Sequence, residues 1–342
     1  MHLTLVTPHL FWPDPALPEI YRDLPLPALS WLLSRGAHAP QPLSLHHWLA
    51  QRFGMSTDGM LPWAPLSLLL DGTEPAGDYW MRADPVHLQV NRDQLILADS
   101  GILSITQYEA DAIMASLNQH FSEDGLHFIA PYPNRWYLRC NQTPHITVVP
   151  VEHVIGQDIH RHLPQGHDAM HWHHLLNELQ MLLYNHPVND ARDAAGDPTI
   201  NSIWPWGGGT LPPSLHKPYQ QCWADQHEAA ALAHAAQLPF DNLPATATVW
   251  HGQAQGEQQL IILDSLSGAA SYGDAYGWRE TLLHLEQDWF TPMKTLLASG
   301  QLNSLLLVAP GYFDCLIKPT ARWQFWKGSQ SLGHWASAGD PT

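Results

Sequence analysis

With 342 residues the chain is longer than one core of ordinary size, so two domains, each able to bury its own interior, are expected. Hydrophobic residues make up 45% and charged residues only 14%, with 15 Lys+Arg against 32 Asp+Glu and a formal net charge of -17. That balance argues against binding to nucleic acid or an anionic membrane, and it leaves any small anionic metabolite to a few placed arginines.

The first residues, MHLTLVTPHLFWPDP, carry no basic region and meet Pro8 and Pro13 before a signal-like apolar run can form; a cytoplasmic chain without a membrane span is expected. Residues 2–6, HLTLV, predict a buried first strand stopped by Thr7-Pro8, and no Gly-rich phosphate loop follows it. Helices are expected over 27–33, with Pro27 tolerated in the first turn, and over 45–53. From Tyr79 the runs WMRADPVHLQV and DQLILAD alternate apolar and polar residues and predict two strands joined around Asn91-Arg92-Asp93. Ser104 or Thr106 then offers the N-cap of a helix reaching about Phe121, before three strand-like pieces, LHFIAP, RWYLRC and ITVVPV.

An amphipathic helix is expected from His167 to Tyr184, ended by Pro187. The stretch from His186 to Gly209 sets two tryptophans beside three consecutive glycines, which predicts backbone passing close to a ligand or to another segment. After the Pro-rich LPPSLHKP, the chain reads as helix 226–237, strands ATVWHG and QLIILD, helix 278–298 and strand SLLLVAP. This order predicts an α/β sheet domain made by both chain ends, residues 1–79 and 212–342, with an α+β domain inserted over 80–211. Cys140, Cys222 and Cys315 lie far apart in no metal-ligand spacing, as expected for buried thiols in a reducing compartment.

The succession RADPVHL, DSGILSITQYEADAIMASLN, an Arg-aromatic strand, VIGQDIHRHLPQGHDA, LLYNHPVNDAR and NSIWPWGGG resembles the insertion domain of the archaeal-type, cofactor-independent phosphoglycerate mutases. The chain is also similar, over nearly its whole length, to bacterial regulatory proteins of the Rpf type. The resemblance is specific in residues 82–209 and weak at both ends. It implies an alkaline-phosphatase-like sheet domain, whose chemistry is phosphoryl transfer through a Ser nucleophile and two divalent metals. In that family an Asp-Gly closes the first strand and a "D..gH.GD" pattern lies near the C-terminus. Here the first strand ends in Val6-Thr7-Pro8-His9, and the later segment runs from Asp264-Ser265 to Gly273-Asp274 with the histidine replaced. The resemblance therefore implies a scaffold that has lost its mutase reaction.

Arg82, Arg135 and Arg192 lie in the resembling segments and are the candidates for holding an anion, since guanidinium meets carboxylate or phosphate bidentately. Structural pairing with Asp84, Asp190 or Asp193 is the alternative. Asn189, Asn201 and Ser202 would complete such a pocket, or would satisfy loop backbone. Trp204 and Trp206 stack on a ligand or pack internally. His167, His171 and His174, spaced i, i+4, i+7 on the expected helix, offer a metal site; in a chain with 23 histidines a solvated face is the alternative. Asp264 and Asp274 are surviving ligands for Mn, Zn or Mg if chemistry persists, or a strand-end cap and a turn residue. Asp99-Ser100-Gly101 lacks the nucleophile elbow G-x-S-x-G.

The expected function is a non-catalytic regulatory or metabolite-binding protein needing no cofactor. The alternatives are an active metal-dependent phosphotransferase or phosphoglycerate mutase, and a protein-interaction scaffold with exposed apolar patches.

Overall fold

The computed structural model describes residues 1–338. The chain divides into two compact units, residues 1–55 with 215 onward, and residues 56–214. The later boundary falls three residues from the expected one. The earlier boundary does not: residues 56–79, expected with the first unit, pack with the second. There the helix Trp63–Leu70 lies on the strands Tyr79–Asn91 and Ser202–Gly209, and its Ala64 and Leu68 form a core cluster with Trp80 and Tyr137. Apolar burial in WAPLSLLL thus draws the segment away from the first sheet. Residues 339–342 of the expected first unit lie outside the described residues.

The first unit is built on a seven-stranded sheet in the order Phe240–Asp241, Gln221–Trp223, Gln258–Ile262, His2–Val6, Ser304–Ala309, Phe313–Ile317, Ala37–Pro40. The first five strands are parallel, Phe313–Ile317 runs against them, and Ala37–Pro40 pairs antiparallel with Phe313–Ile317 at the edge. His2–Val6 is central, and its residues 3–6 are buried, as a parallel strand covered on both faces requires. The largest core cluster lies here, with Leu5, Leu29, Trp250, Trp278, Phe290 and Leu307 among its members.

Two local readings change. ATVWHG is the helix Ala247–Gln253, not a strand: Thr246 accepts the Val249 amide as N-cap, and Ala247 and Trp250, three apart, face inward. The expected helix 278–298 is Ala275–Leu285 and Thr291–Ser299 joined by a π turn, Glu286–Phe290. Pro292 has no amide to give to the ladder, and the wide turn absorbs the interruption. The same turn places Glu286, whose carboxylate accepts the Ala28 and Leu29 amides (2.5 and 3.0 Å) and so caps the helix Pro27–Arg35.

The second unit is an antiparallel five-stranded sheet with helices. Its long strand, Tyr79–Asn91, pairs with Gln94–Ala98, Arg135–Cys140 and Ser202–Gly209, and Leu126–Tyr132 adds beyond Arg135–Cys140. The helix Gln107–Phe121 begins with a full capping box between Thr106 and Glu109. ITVVPV contributes only Ile146–Thr147 to a two-stranded ribbon. His186-Pro187 does not merely end a helix. Its imidazole accepts the Val188 amide and Pro187 occupies the first turn of a further helix, Pro187–Ala195, which stops at Gly196 with φ 81°.

NSIWPWGGG is a buried strand, not a loop. A Cβ at Gly208 would sit 2.5 Å from the Tyr79 hydroxyl oxygen, and one at Gly209 2.6 Å from Pro62 Cβ. The glycines therefore serve close approach of another segment.

Candidate functional site

Ligands of open parallel sheets bind at the carboxyl ends of the strands. In the first unit, His2–Val6 runs into Thr7, whose amide donates to the Val308 carbonyl at 2.9 Å and whose side chain is buried. His9 follows with φ 54°; its ring nitrogen Nδ1 lies 3.1 Å from Ser267 Oγ, and its carbonyl accepts Trp278 Nε1–H at 2.9 Å. On the neighbouring strand, Leu263 donates to the Val6 carbonyl and carries Asp264 to the same edge. Burial pushes the Asp264 carboxyl above the usual range, and the Asp225 and Glu228 carboxylates push it further against the Gln226 side chain. Asp264 and Asp225, which follow two strand ends, and Glu228 in the first turn of the helix His227–Ala235 are thus electrostatically coupled.

Asp274 is elsewhere in role. It caps the helix Ala275–Leu285 by accepting the Gly277 amide at 2.9 Å, the turn-residue alternative. Among the described residues no group of three or more His, Cys, Asp or Glu is arranged to hold a metal ion. The two-metal centre implied by the resemblance does not fit the side chains at this edge, where the position closing the first strand offers a threonine instead of a carboxylate.

The histidine face is not formed. The helix starts at Ala169, so His167 lies before it, largely exposed and 2.6 Å from Asp168 Oδ1. The Asp168 carboxylate also accepts the His145 amide, and that bond followed by His167 holds it below the usual range. His171 and His174 are exposed on the helix. The local pull of Asp168 toward loop amides ends the helical register before His167 can join it.

In the second unit the three arginines are met by internal acceptors. Arg82 donates from Nε and Nη2 to Asp84 Oδ1 (3.0 and 2.6 Å), with its guanidinium 5.4 Å from the ring centres of both Tyr137 and Trp206. Trp206 in turn donates to Asp84 Oδ2 at 2.6 Å. Arg135 meets Asp71 through two bonds of 3.0 and 2.9 Å, and the Tyr137 hydroxyl donates to the same carboxylate at 2.6 Å. Arg82 and Arg135 therefore belong to one network through Tyr137, whose phenol is raised far above its usual range by burial despite Arg82 nearby. Asp84 was foreseeable as a partner two residues along one strand. Asp71 was not, because it reaches Arg135 from a separate helix end.

Arg192 has a different set: Nε to the Pro198 carbonyl and Nη1 to Glu109 Oε1, both at 2.7 Å, and Nη2 to the Leu103 carbonyl. Its partners are neither Asp190 nor Asp193. It ties the helix Pro187–Ala195 to the start of the helix Gln107–Phe121 and does not face a cleft. Asn189 bonds the Leu183 and Ile200 carbonyls and the Ile200 amide. Asn201 pairs with both backbone groups of Leu88. Ser202 is buried with its hydroxyl 3.4 Å from the Ile203 carbonyl, and Trp204 donates to the Val149 carbonyl at 2.8 Å. The expected pocket of Arg82, Arg135, Arg192, Asn189, Asn201, Ser202 and Trp204 is corrected accordingly: Asp84 and Asp71 hold Arg82 and Arg135, Glu109 and two carbonyls hold Arg192, and backbone groups, which must be satisfied on burial, engage Asn189, Asn201 and Trp204. Of these three arginines Arg135 keeps the most solvent contact, with 22% of its side chain exposed against 6% for Arg82 and 5% for Arg192.

All three cysteines are free and buried, and burial pushes each thiol up to about 12. No helix of the described residues is long and apolar enough to cross a membrane.

The family model for 2,3-bisphosphoglycerate-independent phosphoglycerate mutase matches residues 73–189. A probable 2,3-bisphosphoglycerate-independent phosphoglycerate mutase of Geobacter sulfurreducens is 31% identical over 154 residues, covering 44% of this chain and 38% of that protein. The 2,3-bisphosphoglycerate-independent phosphoglycerate mutase of Methanosarcina mazei is 28% identical over 143 residues, covering 39% and 34%. The matched part of the chain thus spans well under half the length of these relatives. Among solved structures, the PH0037 protein from Pyrococcus horikoshii shares the fold with a TM-score of 0.54 at 11% identity, over 93% of this chain and 87% of that one. The cofactor-independent phosphoglycerate mutase from Thermoplasma acidophilum gives a TM-score of 0.49 at 16% identity, over 100% and 95%. The chain thus has a mixed α/β fold shared with the PH0037 protein, and over residues 73–189 it is similar to the 2,3-bisphosphoglycerate-independent phosphoglycerate mutases.

Proposed function

We propose that this phosphoglycerate-mutase-like chain is a non-catalytic regulatory or metabolite-binding protein. The observation that carries the reading is the carboxyl edge of the parallel sheet. The first strand closes on a buried Thr7 whose backbone is tied to Val308, and Asp264 stands among carboxylates rather than in a ligand set of mixed donors. Phosphoryl transfer through metals needs donors that converge on the ion and neutralise developing charge. Its ligand is a small phosphorylated or carboxylated metabolite, received at the Arg135 side of the inserted unit, where the guanidinium keeps solvent contact. A cytoplasmic location belongs to the same proposal and is supported by the three free thiols.

The test combines turnover and binding on the purified chain. With Mn, Zn or Mg supplied, 3-phosphoglycerate is expected to remain unconverted. It is also expected to raise Tm with the logarithm of ligand concentration once that exceeds Kd, less so in Arg135→Lys. Conversion that disappears in Asp264→Asn would overturn the proposal in favour of an active metal-dependent mutase or phosphotransferase.

A second reading, a protein-interaction scaffold, is favoured by one surface. Trp323, Phe325 and Trp326 are 62%, 83% and 70% exposed within a few residues of one another. If that reading holds, replacing these rings abolishes partner capture without altering Tm.

A further inference from the structure

A cleft of about 480 Å³ opens in the first unit beside the loop that follows the central strand His2–Val6. Trp12, Tyr21 and Tyr312 supply its rings, Pro13, Pro15 and Pro18 stiffen its rim, and Asp14 is its carboxylate. Trp12 follows the carboxyl end of His2–Val6 and Tyr312 follows that of Ser304–Ala309, two adjacent parallel strands. Among the described residues lining the cleft there is no Lys, Arg or His. Arg279, close in space to the same loop, is spent on the carbonyls of Ile20 and Arg22 and does not line it.

The rings are braced from behind. Fully buried Trp278 meets Trp12 edge-on at 5.8 Å and Tyr21 at 5.9 Å. The Tyr21 hydroxyl accepts the Trp12 amide at 2.9 Å, fixing the two rings relative to each other. Buried Phe11 packs 4.6 Å from Tyr312. At the rim, Asp14 Oδ1 accepts the Ala16 amide at 2.9 Å, which orients its carboxylate. Burial pushes the Tyr21 phenol up to about 12, so this ring is neutral at physiological pH and lines the cleft as an uncharged aromatic. Preorganised rings of this kind bind without a large ordering cost.

We propose that this cleft is a binding site for a quaternary or alkylated ammonium group, held by the π faces of Trp12, Tyr21 and Tyr312 with Asp14 as counter-charge. A phosphate or carboxylate ligand has no donor cation here and meets Asp14 instead. An alkylated ammonium is a cation with an apolar shell, so it gains from aromatic faces without demanding the hydrogen bonds a bare ammonium loses on leaving water. The net charge of -17 raises the local concentration of such cations. The volume suits a trimethylammonium head with a short substituent. The inference is independent of whether the sheet edge retains phosphoryl chemistry, because it uses none of Asp225, Glu228 or Asp264.

The experiment is calorimetric titration of the full chain with choline, with tetramethylammonium, with a trimethyl-lysine peptide and with 3,3-dimethylbutanol, the neutral isostere of choline. Choline is expected to bind at least about tenfold tighter than its isostere, since only the charge differs. Asp14→Asn, an exposed position, and Tyr312→Leu, which keeps apolar bulk but removes the π face, are each expected to weaken choline binding about threefold or more while leaving the isostere unchanged. A free small molecule as source predicts choline tighter than the peptide; a modified protein tail predicts the reverse, and either supports the site. Equal affinity for choline and isostere, binding untouched by both variants, or no ammonium binding up to about 10 mM overturns it.

Discussion

Replacing Arg192 by Ala separates a structural guanidinium from a ligand-binding one. The side chain is 5% exposed and gives its three donor nitrogens to the Pro198 carbonyl, the Glu109 carboxylate and the Leu103 carbonyl. Its removal strips two carbonyls of a charged donor and leaves a half-buried carboxylate without its cation. Hydrogen bonds to charged groups contribute about 1.5–3 kcal/mol each, and breaking a buried pair from one side costs about 3–5 kcal/mol. These terms overlap, so the loss expected is about 4 kcal/mol, not their sum. For a unit the size of residues 56–214, that lowers Tm by about 10 °C. Differential scanning calorimetry of wild type, Arg192→Ala, Glu109→Gln and the double variant gives the coupling directly. The two single losses should exceed the double loss when added, because they break the same bond. A Tm for Arg192→Ala within about 2 °C of wild type would refute the reasoning and return Arg192 to the ligand candidates.

Three further outcomes are expected. Asp71→Asn should destabilise the second unit by about 2–4 kcal/mol in urea unfolding, against about 1–2 kcal/mol for Tyr137→Phe, because Asp71 receives two Arg135 bonds as well as the Tyr137 hydroxyl. The Asp264 carboxyl is raised on folding, first by burial and then by Asp225, so the folded state holds its proton more tightly than the unfolded one. Its contribution to stability is fully present below the unfolded pKa of about 3.9 and is lost as pH rises through the raised folded value; Asp264→Asn should therefore gain Tm relative to wild type between pH 4 and 7, and a constant difference across that range would remove the argument. Cys140, Cys222 and Cys315, buried with thiols pushed up to about 12, should resist a thiol reagent at pH 8 until denaturant is added. Rapid labelling of the native chain would show that one of them is reached from solvent.

Much of the architecture was legible because its signals are local. HLTLV, with Leu3, Leu5 and Val6 around a β-branched Thr4, is a β-rich run that lies at the centre of the sheet between parallel neighbours, where residues 3–6 are buried. Thr106 with Glu109 spells a capping box before the helix it starts. ATVWHG misled because β-branched residues and a tryptophan read as strand, while the Thr246 cap and the three-residue spacing of Ala247 and Trp250 decided for helix. The domain boundary misled for a different reason. WAPLSLLL is apolar enough for either core, and nothing within it says which sheet it will cover.

The candidate site was the least legible part. The sequence showed that cations are scarce, that Arg82, Arg135 and Arg192 fall in the resembling segment, and that Thr7-Pro8-His9 stands where a carboxylate was expected. Whether each arginine meets a ligand or the protein's own acceptors depends on groups far along the chain: Asp71 for Arg135, and Glu109, Leu103 and Pro198 for Arg192. The same holds for the ammonium cleft, whose rings come from Trp12, Tyr21 and Tyr312. Periodicity, caps and strand order act through neighbouring residues and are written in the chain itself. A guanidinium's partner and a ring's exposed face are set by what burial brings against them, and only the tertiary structure decides that.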